Sequence, residues 1–431
     1  MMCLYIDPGT GSMLFTILIA VIGSLIYLLR NVWMKLGVFL SGGKRGSAQK
    51  DRMPILIFSD NKRYWNTFEP ICDELEKRGQ EVFYWTESAD DPALSRQFQH
   101  IHAECIGEGN RAYAKLNMAK AWVVLSTTPG LDVYQWKRSR EAAYYVHIPH
   151  APNDITLYRM FGLDFYDAVL LSGNYQVDQI RELEKLRNLP EKEIEIVGLP
   201  YMDEAQKRLE TAEPLAKKEG RTVLVAPSWG PSAILSRYGE KMIDALLSTG
   251  YQVIIRPHPQ SFSSEKDLID KLMKRYPDGD QLQWNRDNDN FDVLRRSDIL
   301  ISDFSGVIFD YTLVHDKPIL YADTAFDSAI YDACWIEKPL WTFKVLPELG
   351  EQVTEDMLPQ IKTIIDRCIE NPKYQRARAA AREETWMHQG EGAVRAADYL
   401  LEKLNQIRKD ETETPVQEGK TEKGKRIRRK K

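Results

Sequence analysis

Gln252-Val253-Ile254-Ile255-Arg256-Pro257-His258-Pro259 and Asp298-Ile299-Leu300-Ile301-Ser302-Asp303-Phe304-Ser305-Gly306 are the two stretches that decide the fold. In each, a short β-branched run stops abruptly at polar, turn-prone residues suited to anions. The second continues into helix-compatible Val307-Ile308-Phe309-Asp310-Tyr311. An open α/β sheet binds ligands at the carboxyl ends of its strands, and phosphates are favoured where helix N-termini present their amides. Two such ends in one half of a chain suggest the pocket of a nucleotide-diphosphate donor.

Outward from these stretches, the same grammar repeats. Pro54–Ser59, Glu81–Trp85, Ala121–Ser126, Ala143–His147, Ala168–Ser172 and Ile194–Val197 are strand candidates, most of them separated by helical stretches such as Trp65–Arg78. After Gly198-Leu199-Pro200 and a charged helix, the pattern restarts at Thr222–Ala226 and runs through Gln252–Ile255, Asp298–Ile301 and Pro318–Tyr321. Long helices are expected over Met357–Glu370, Tyr374–Thr385 and Ala393–Lys409. Alternation of β and α predicts parallel, doubly wound sheets with helices on both faces. The chain therefore divides into an anchor and linker (1–50), a first Rossmann-like domain (51–203), a second with trailing helices (204–409) and a basic tail (410–431). Two such halves behind a membrane tether describe the GT-B architecture, by analogy of fold.

At 431 residues and 43% apolar content the chain is long enough for two cores. Its formal charge of -5 hides an asymmetry, since Lys420–Lys431 holds eight Lys or Arg against one Glu. The body is thus more acidic than the total, which argues against a nucleic-acid binder. From Asp410 onward the sequence lacks aromatics and is expected to be disordered. Cys3, Cys72, Cys105, Cys334 and Cys368 show neither disulfide-framework nor zinc-ligand spacing. Met13–Leu29 carries no charge and, as a helix, rises roughly 25 Å, near the lower limit for spanning a bilayer. Basic residues flank only its C-terminal side, so the positive-inside rule places the N-terminus outside and the body at the cytoplasmic face of a cell membrane. A monotopic hairpin is the alternative. The basic tail would add attraction to an anionic lipid surface.

His150-Ala151-Pro152, Pro227-Ser228-Trp229, Arg256-Pro257-His258-Pro259 and Ser302-Asp303-Phe304-Ser305 followed by Phe309-Asp310-Tyr311 together resemble the CDP-glycerol glycerophosphotransferases, which build teichoic-acid-type polymers. The resemblance spans roughly residues 140 to 395. Where that family usually reads His-Gly-Thr, this chain has His150-Ala151-Pro152, a departure on the acceptor side. Pro149 and Pro152 fix His150 on a rigid loop at a strand end. The resemblance makes His150 the general base for the attacking hydroxyl, a task suited to imidazole. It makes His258 the group that stabilises the departing phosphate. Ser302, Ser305 and Gly306 then face the donor phosphates, with Ser228 on the donor side; Arg256 either reaches the pyrophosphate or holds an acidic neighbour inside the fold, and Trp229 either borders the nucleotide or belongs to the core. Asp303 either caps the following helix or holds His258 or a substrate hydroxyl. Asp310 binds glycerol or ribose hydroxyls, or an internal salt bridge. No DxD pair sits in a convincing loop, Asp287-Asn288-Asp289-Asn290 reading better as a solvated turn, so no obligatory metal or cofactor is expected.

The leading expectation is transfer of glycerol phosphate, or a related polyol phosphate, from a CDP-linked donor to a membrane-bound, lipid-linked acceptor. A sugar transferase or nucleotide-sugar 2-epimerase on the same fold would instead lean on a carboxylate such as Asp303 or Glu391. A non-catalytic tethered scaffold would tolerate exchange of Arg256, His258 and Ser305.

Overall fold

The computed structural model describes residues 52–215, 219–287, 289–323 and 326–413. The expected membrane segment Met13–Leu29 and the tail from residue 414 lie outside them. Among the described residues no helix is long and apolar enough to cross a membrane.

Two parallel sheets carry the fold. The first comprises β1 (Met53–Ser59), β2 (Val82–Thr86), β3 (Ile101–Cys105), β4 (Ala121–Ser126), β5 (Ala142–His147), β6 (Ala168–Leu171) and β7 (Glu193–Ile196), in the order β3-β2-β1-β4-β5-β6-β7. The second comprises β8 (Thr222–Val225), β9 (Gln252–Ile255), β10 (Leu282–Trp284), β11 (Ile299–Ser302), β12 (Ile319–Ala322) and β13 (Gly350–Val353), in the order β10-β9-β8-β11-β12-β13. Central strands are buried on both faces; every residue of β4, β8 and β11 is inaccessible. Parallel sheets covered on both sides require such continuous apolar runs, which is why these strands stand out in the sequence.

Seven helices matter for the site. They are α1 (Trp65–Lys77), α2 (Tyr175–Arg187), α3 (Pro200–Thr211), α4 (Ile234–Leu247), α5 (Trp341–Leu349), α6 (Pro372–Thr385) and α7 (Gly392–Glu413). Each α/β layer has its own apolar core. One joins Val223, Val225, Met242, Leu246 and Ile255 beneath α4, and another joins Ile55, Ile57, Phe68, Leu75 and Val123 beneath α1.

The last helix departs from chain order. Although α7 follows the second sheet, its Ala396, Ala397, Leu400 and Leu404 complete the core of the first. Each fully buried leucine there contributes about 1.5–3 kcal/mol. The return path fits closely against the first sheet. A Cβ on Gly173 would meet the Glu384 carbonyl at 2.2 Å, and one on Gly198 would meet that of Met387 at 2.2 Å. Asp203 secures the crossing by accepting from Trp386 Nε1 at 2.8 Å, Gly390 N at 2.7 Å and Gly392 N at 3.0 Å. The α7 helix also runs through Asp410 to Glu413, into the stretch expected to be disordered, aided by a Lys409–Glu413 ion pair one turn apart.

Candidate active site

Both sheets reverse their strand order at one point, between β1 and β4 in the first and between β8 and β11 in the second. Crevices at the carboxyl ends of strands beside such a reversal are where open α/β sheets take ligands. In the first sheet these ends deliver Asp60 and Thr127, with the loop to His150 leaving neighbouring β5. In the second they deliver Ser228, Ser302 and Asp303, with Arg256 and His258 leaving neighbouring β9.

His150 is held from two sides. Its Nδ1 lies 2.9 Å from Thr127 Oγ1, and the Tyr64 ring sits over it with centroids 4.4 Å apart. When Nδ1–H donates to that hydroxyl, the Nε2 lone pair is free to take a proton. Arg63, Tyr64, Asn66 and His150 line a cavity of about 280 Å³. Burial, and then the positive charge of Arg63, pull the imidazole down to about 4, against an opposing hydrogen bond at Thr127. The ring is therefore neutral at physiological pH, the state a base requires. His147 is fully buried with Nε2 3.1 Å from the Tyr158 hydroxyl, a supporting place in the sheet. Nearby, burial raises the carboxyl of Asp60, whose Oδ1 has no hydrogen-bond partner among the described residues. Burial likewise raises Glu87, at the end of β2, to about 7.

On the second sheet two expected donor contacts are corrected. Asp303 is 1% exposed, and both carboxylate oxygens are engaged by backbone amides. Oδ1 accepts from Ser228 N at 2.9 Å and Phe304 N at 2.7 Å, and Oδ2 accepts from Ile234 N at 3.0 Å. It clamps the Pro227–Gly230 loop to β11 and touches neither His258 nor open space. Ser302, fully buried, donates to the Ala226 carbonyl at 2.7 Å and performs the same stapling. Asp310 forms no salt bridge among the described residues; it accepts from the Tyr201 hydroxyl at 3.1 Å, and burial raises it to about 6.

Other expected residues keep atoms to offer. Ser228 Oγ is buried with no partner among the described residues. His258 Nδ1 accepts from Gln260 N at 3.1 Å, which leaves the proton on Nε2 as a donor. Burial and then Arg63 lower this imidazole as well, against the opposing charge of Glu265. The positive charge of Arg63 thus acts in the same direction on the histidines of both motifs, one from each sheet. Arg256 is turned toward Asn285 at the end of β10, with Asp287 and Asp289 opposing the effect of its burial. Trp229 is 48% exposed at the rim.

The loop that carries His150 is bolted to the second sheet's layer. Asp154 accepts from Trp341 N at 2.8 Å and Thr342 N at 2.6 Å, capping α5. Tyr175 and Gln176 of α2 donate to the carbonyls of Pro152 at 2.5 Å and Asn153 at 2.9 Å. Gly306 meets this loop directly, because a Cβ there would lie 3.4 Å from Asn153 Oδ1 and 4.0 Å from Ala151 Cβ. The segment just after His150 and the Ser305-Gly306 turn are therefore neighbours. The sequence reading missed Arg63, Tyr64 and Thr127. The only signal for them was that Ser59-Asp60 and Ser126-Thr127 end buried runs as Ser302-Asp303 does.

A family model described as CDP-glycerol:poly(glycerophosphate) glycerophosphotransferase matches residues 45–403. No curated protein matches the chain. Among solved structures, UDP-GlcNAc 2-epimerase of Methanocaldococcus jannaschii is similar, at 12% identity and TM-score 0.53, over 81% of this chain and 99% of that one. A putative UDP-N-acetylglucosamine 2-epimerase of Listeria monocytogenes gives 12% identity and TM-score 0.51, over 80% and 94%. At such identities the likeness concerns the fold, two Rossmann-like domains.

Proposed function

The chain belongs to the CDP-glycerol:poly(glycerophosphate) glycerophosphotransferase family, and from that membership we propose that it moves glycerol phosphate, or a related polyol phosphate, from a CDP-linked donor to a hydroxyl of a membrane-associated acceptor in cell-surface polymer synthesis. The observation that carries this reading is the meeting of loops from the two sheets, where a Cβ on Gly306 would lie 3.4 Å from Asn153 Oδ1 and 4.0 Å from Ala151 Cβ, in the segment that follows His150.

In the proposed reaction His150 Nε2 takes the proton of the acceptor hydroxyl. The oxygen attacks the β-phosphorus of the donor, a new P–O ester bond forms, and the phosphoanhydride bond breaks to release CMP. His258 Nε2–H donates to the phosphate oxygen on which negative charge grows, the kind of preorganised donor that stabilises a transition state most. Ser228 Oγ, Ser305, Gly306 and Arg256 are assigned to the donor's phosphates. The proton on His150 then passes to solvent. The uncharged Met13–Leu29 segment and the basic tail support a place on the cytoplasmic face of a membrane, beside a lipid-linked acceptor.

Incubating the purified full chain with a panel of CDP-alcohols and nucleotide sugars tests this reading. CMP release matched by extension of an acceptor is expected; release of only a nucleoside diphosphate would overturn phosphotransfer. Arg256→Ala and Ser305→Ala should each weaken CDP binding. A contact between a charged group and a phosphate supports roughly 10- to 100-fold in affinity, so calorimetry should read a loss within that range for Arg256→Ala. Unchanged affinity in both variants would move the donor site elsewhere.

A further inference from the structure

A band of large apolar side chains stands open to solvent beside the crevice. Phe161, Phe165, Leu186, Ile330 and Trp335 are each between 39% and 54% exposed. They come from the segment after Tyr158, from the last turn of α2, and from a stretch of the second half that is hydrogen-bonded to the first. There Met160 N donates to the Ile330 carbonyl at 3.3 Å, and Asp332 N to that of Tyr158 at 2.9 Å. The rings are braced in their exposed positions. Phe161 has a φ of 65°, a left-handed backbone that a bulky side chain rarely adopts. Buried Asp332 holds that turn, accepting from Phe161 N at 2.7 Å and Gly162 N at 3.2 Å. Asp332 also pairs with Arg187, whose guanidinium lies 4.8 Å from the Phe161 ring centroid and 5.1 Å from that of Trp335. One guanidinium thus steadies two exposed rings. Backbone strain that the surroundings enforce points to a use for the residue that carries it.

We propose that this band is a lipid-docking face, which enters the headgroup region of a membrane and sets the acceptor side of the crevice at its surface. The inference deepens the reading given above and rests on its membrane-associated acceptor. A contiguous exposed apolar patch marks a partner, and two features choose lipid. Trp and Phe beside aliphatic chains have the composition of interfacial anchors, whereas a platform for stacking sugars would have no use for Leu186 and Ile330. The second feature is the tether. Twenty-three residues separate Leu29 from Met53, and even fully extended they span at most roughly 80 Å. A body attached through Met13–Leu29 therefore meets the bilayer at high effective concentration, and its most apolar exposed face gains most by entering it. Docking there has a catalytic consequence, because the Tyr158 ring that leads into the band lies 6.3 Å, between centroids, from His150. The base is thereby brought to the membrane surface.

Cys334 is an exposed thiol next to Trp335, while Cys72 and Cys368 are buried, so it serves as the reporter. The full chain carrying Cys3→Ser and Cys105→Ser is labelled there with nitrobenzoxadiazole and reconstituted with phosphatidylcholine vesicles in high salt, which screens the basic tail. The label's emission should shift to the blue, doxyl-labelled phosphatidylcholine should quench it, and aqueous dithionite should reach it slowly. The same label on Lys274→Cys in a Cys334→Ser background, exposed on the helix Lys266–Arg275, should show none of these. Phe161→Ser combined with Trp335→Ser should lower the ratio of docked to undocked label by roughly tenfold or more, with the chain still floating with the vesicles and still binding CDP. Ile330→Ser, outside the strained turn, should weaken docking in the same sense. A chain that floats while the Cys334 label stays open to dithionite overturns the lipid face and leaves membrane attachment standing. Equal quenching at positions 274 and 334 also overturns it, since no face is then preferred. A blue shift without lipid that grows with protein concentration would give the band to a second copy instead. A chain that does not float removes attachment and docking face together. CMP release plays no part in the assay, so the chemistry is judged separately.

Discussion

His150→Ala should lower the turnover of acceptor-dependent CMP release by about 10²- to 10⁴-fold, the usual contribution of a positioned base, with CDP affinity left near its wild-type value. The division follows from place. His150 stands on the first layer beside Thr127 and Tyr64, and Ser228 and His258 stand on the second. The wild-type pH profile should carry the same signature. Because burial and Arg63 hold the free imidazole down to about 4, the base stays deprotonated from neutral pH to about pH 5, and activity is lost as the pH falls through that pKa. Near-normal turnover of His150→Ala would remove this residue from the chemistry. A profile that instead declines below pH 7 would point to a different base.

The second large effect concerns stability. Asp303→Ala should cost on the order of 3–5 kcal/mol, because it strands three buried amides, those of Ser228, Phe304 and Ile234, at about 1–3 kcal/mol each before relaxation. That is a large share of the 5–15 kcal/mol typical of whole domains. Asp303→Asn retains an oxygen for Ser228 and Phe304 but turns an NH₂ toward the Ile234 amide, so its loss should be smaller, about 1–3 kcal/mol. Denaturant midpoints of the three proteins check the ranking. An alanine variant as stable as wild type would show that the clamp contributes nothing. A ligand role for Asp303 would instead appear as intact stability with lost CDP binding.

Motif spacing brought His150, His258 and Ser305 to strand ends, because abrupt termination of a buried run is visible in one dimension. Which side chains at those ends look outward is not. Ser302 and Asp303 sit in the right turn, yet their polar atoms are consumed by Ala226, Ser228 and Ile234 from a neighbouring strand's loop. Arg63 follows an ordinary strand with no proline or glycine beside it to mark it, and at Thr127 the following Pro129-Gly130 marks a turn without showing which side chain faces the crevice.

The sheets show the same division. Core strands such as β4 and β8 are unbroken apolar runs and read cleanly. The edge strands β3, β10 and β13 were missed. Ile101-His102-Ala103-Glu104-Cys105 exposes alternate residues, β10 is three residues long, and β13 opens on Gly350. Strands at an edge have one neighbour and one wet side, and their composition shows it. For α7, the spacing of Ala396, Ala397, Leu400 and Leu404 announces an apolar face but not which sheet it covers.

The crossing of α7 also has a consequence for how the protein is made. A ribosome delivers the first sheet long before the helix that completes its core, and every strand of the second sheet must be synthesised in between. At about 5–20 residues per second, the nascent first layer waits on the order of ten seconds or more with the Ile55, Phe68 and Leu75 side of its core short of a cover. Its last partner is synthesised only after the whole second sheet. Chaperone engagement should therefore be concentrated in that interval, and messages truncated before codon 392 should yield polypeptides that are degraded, even though every residue assigned to the chemistry has already been translated.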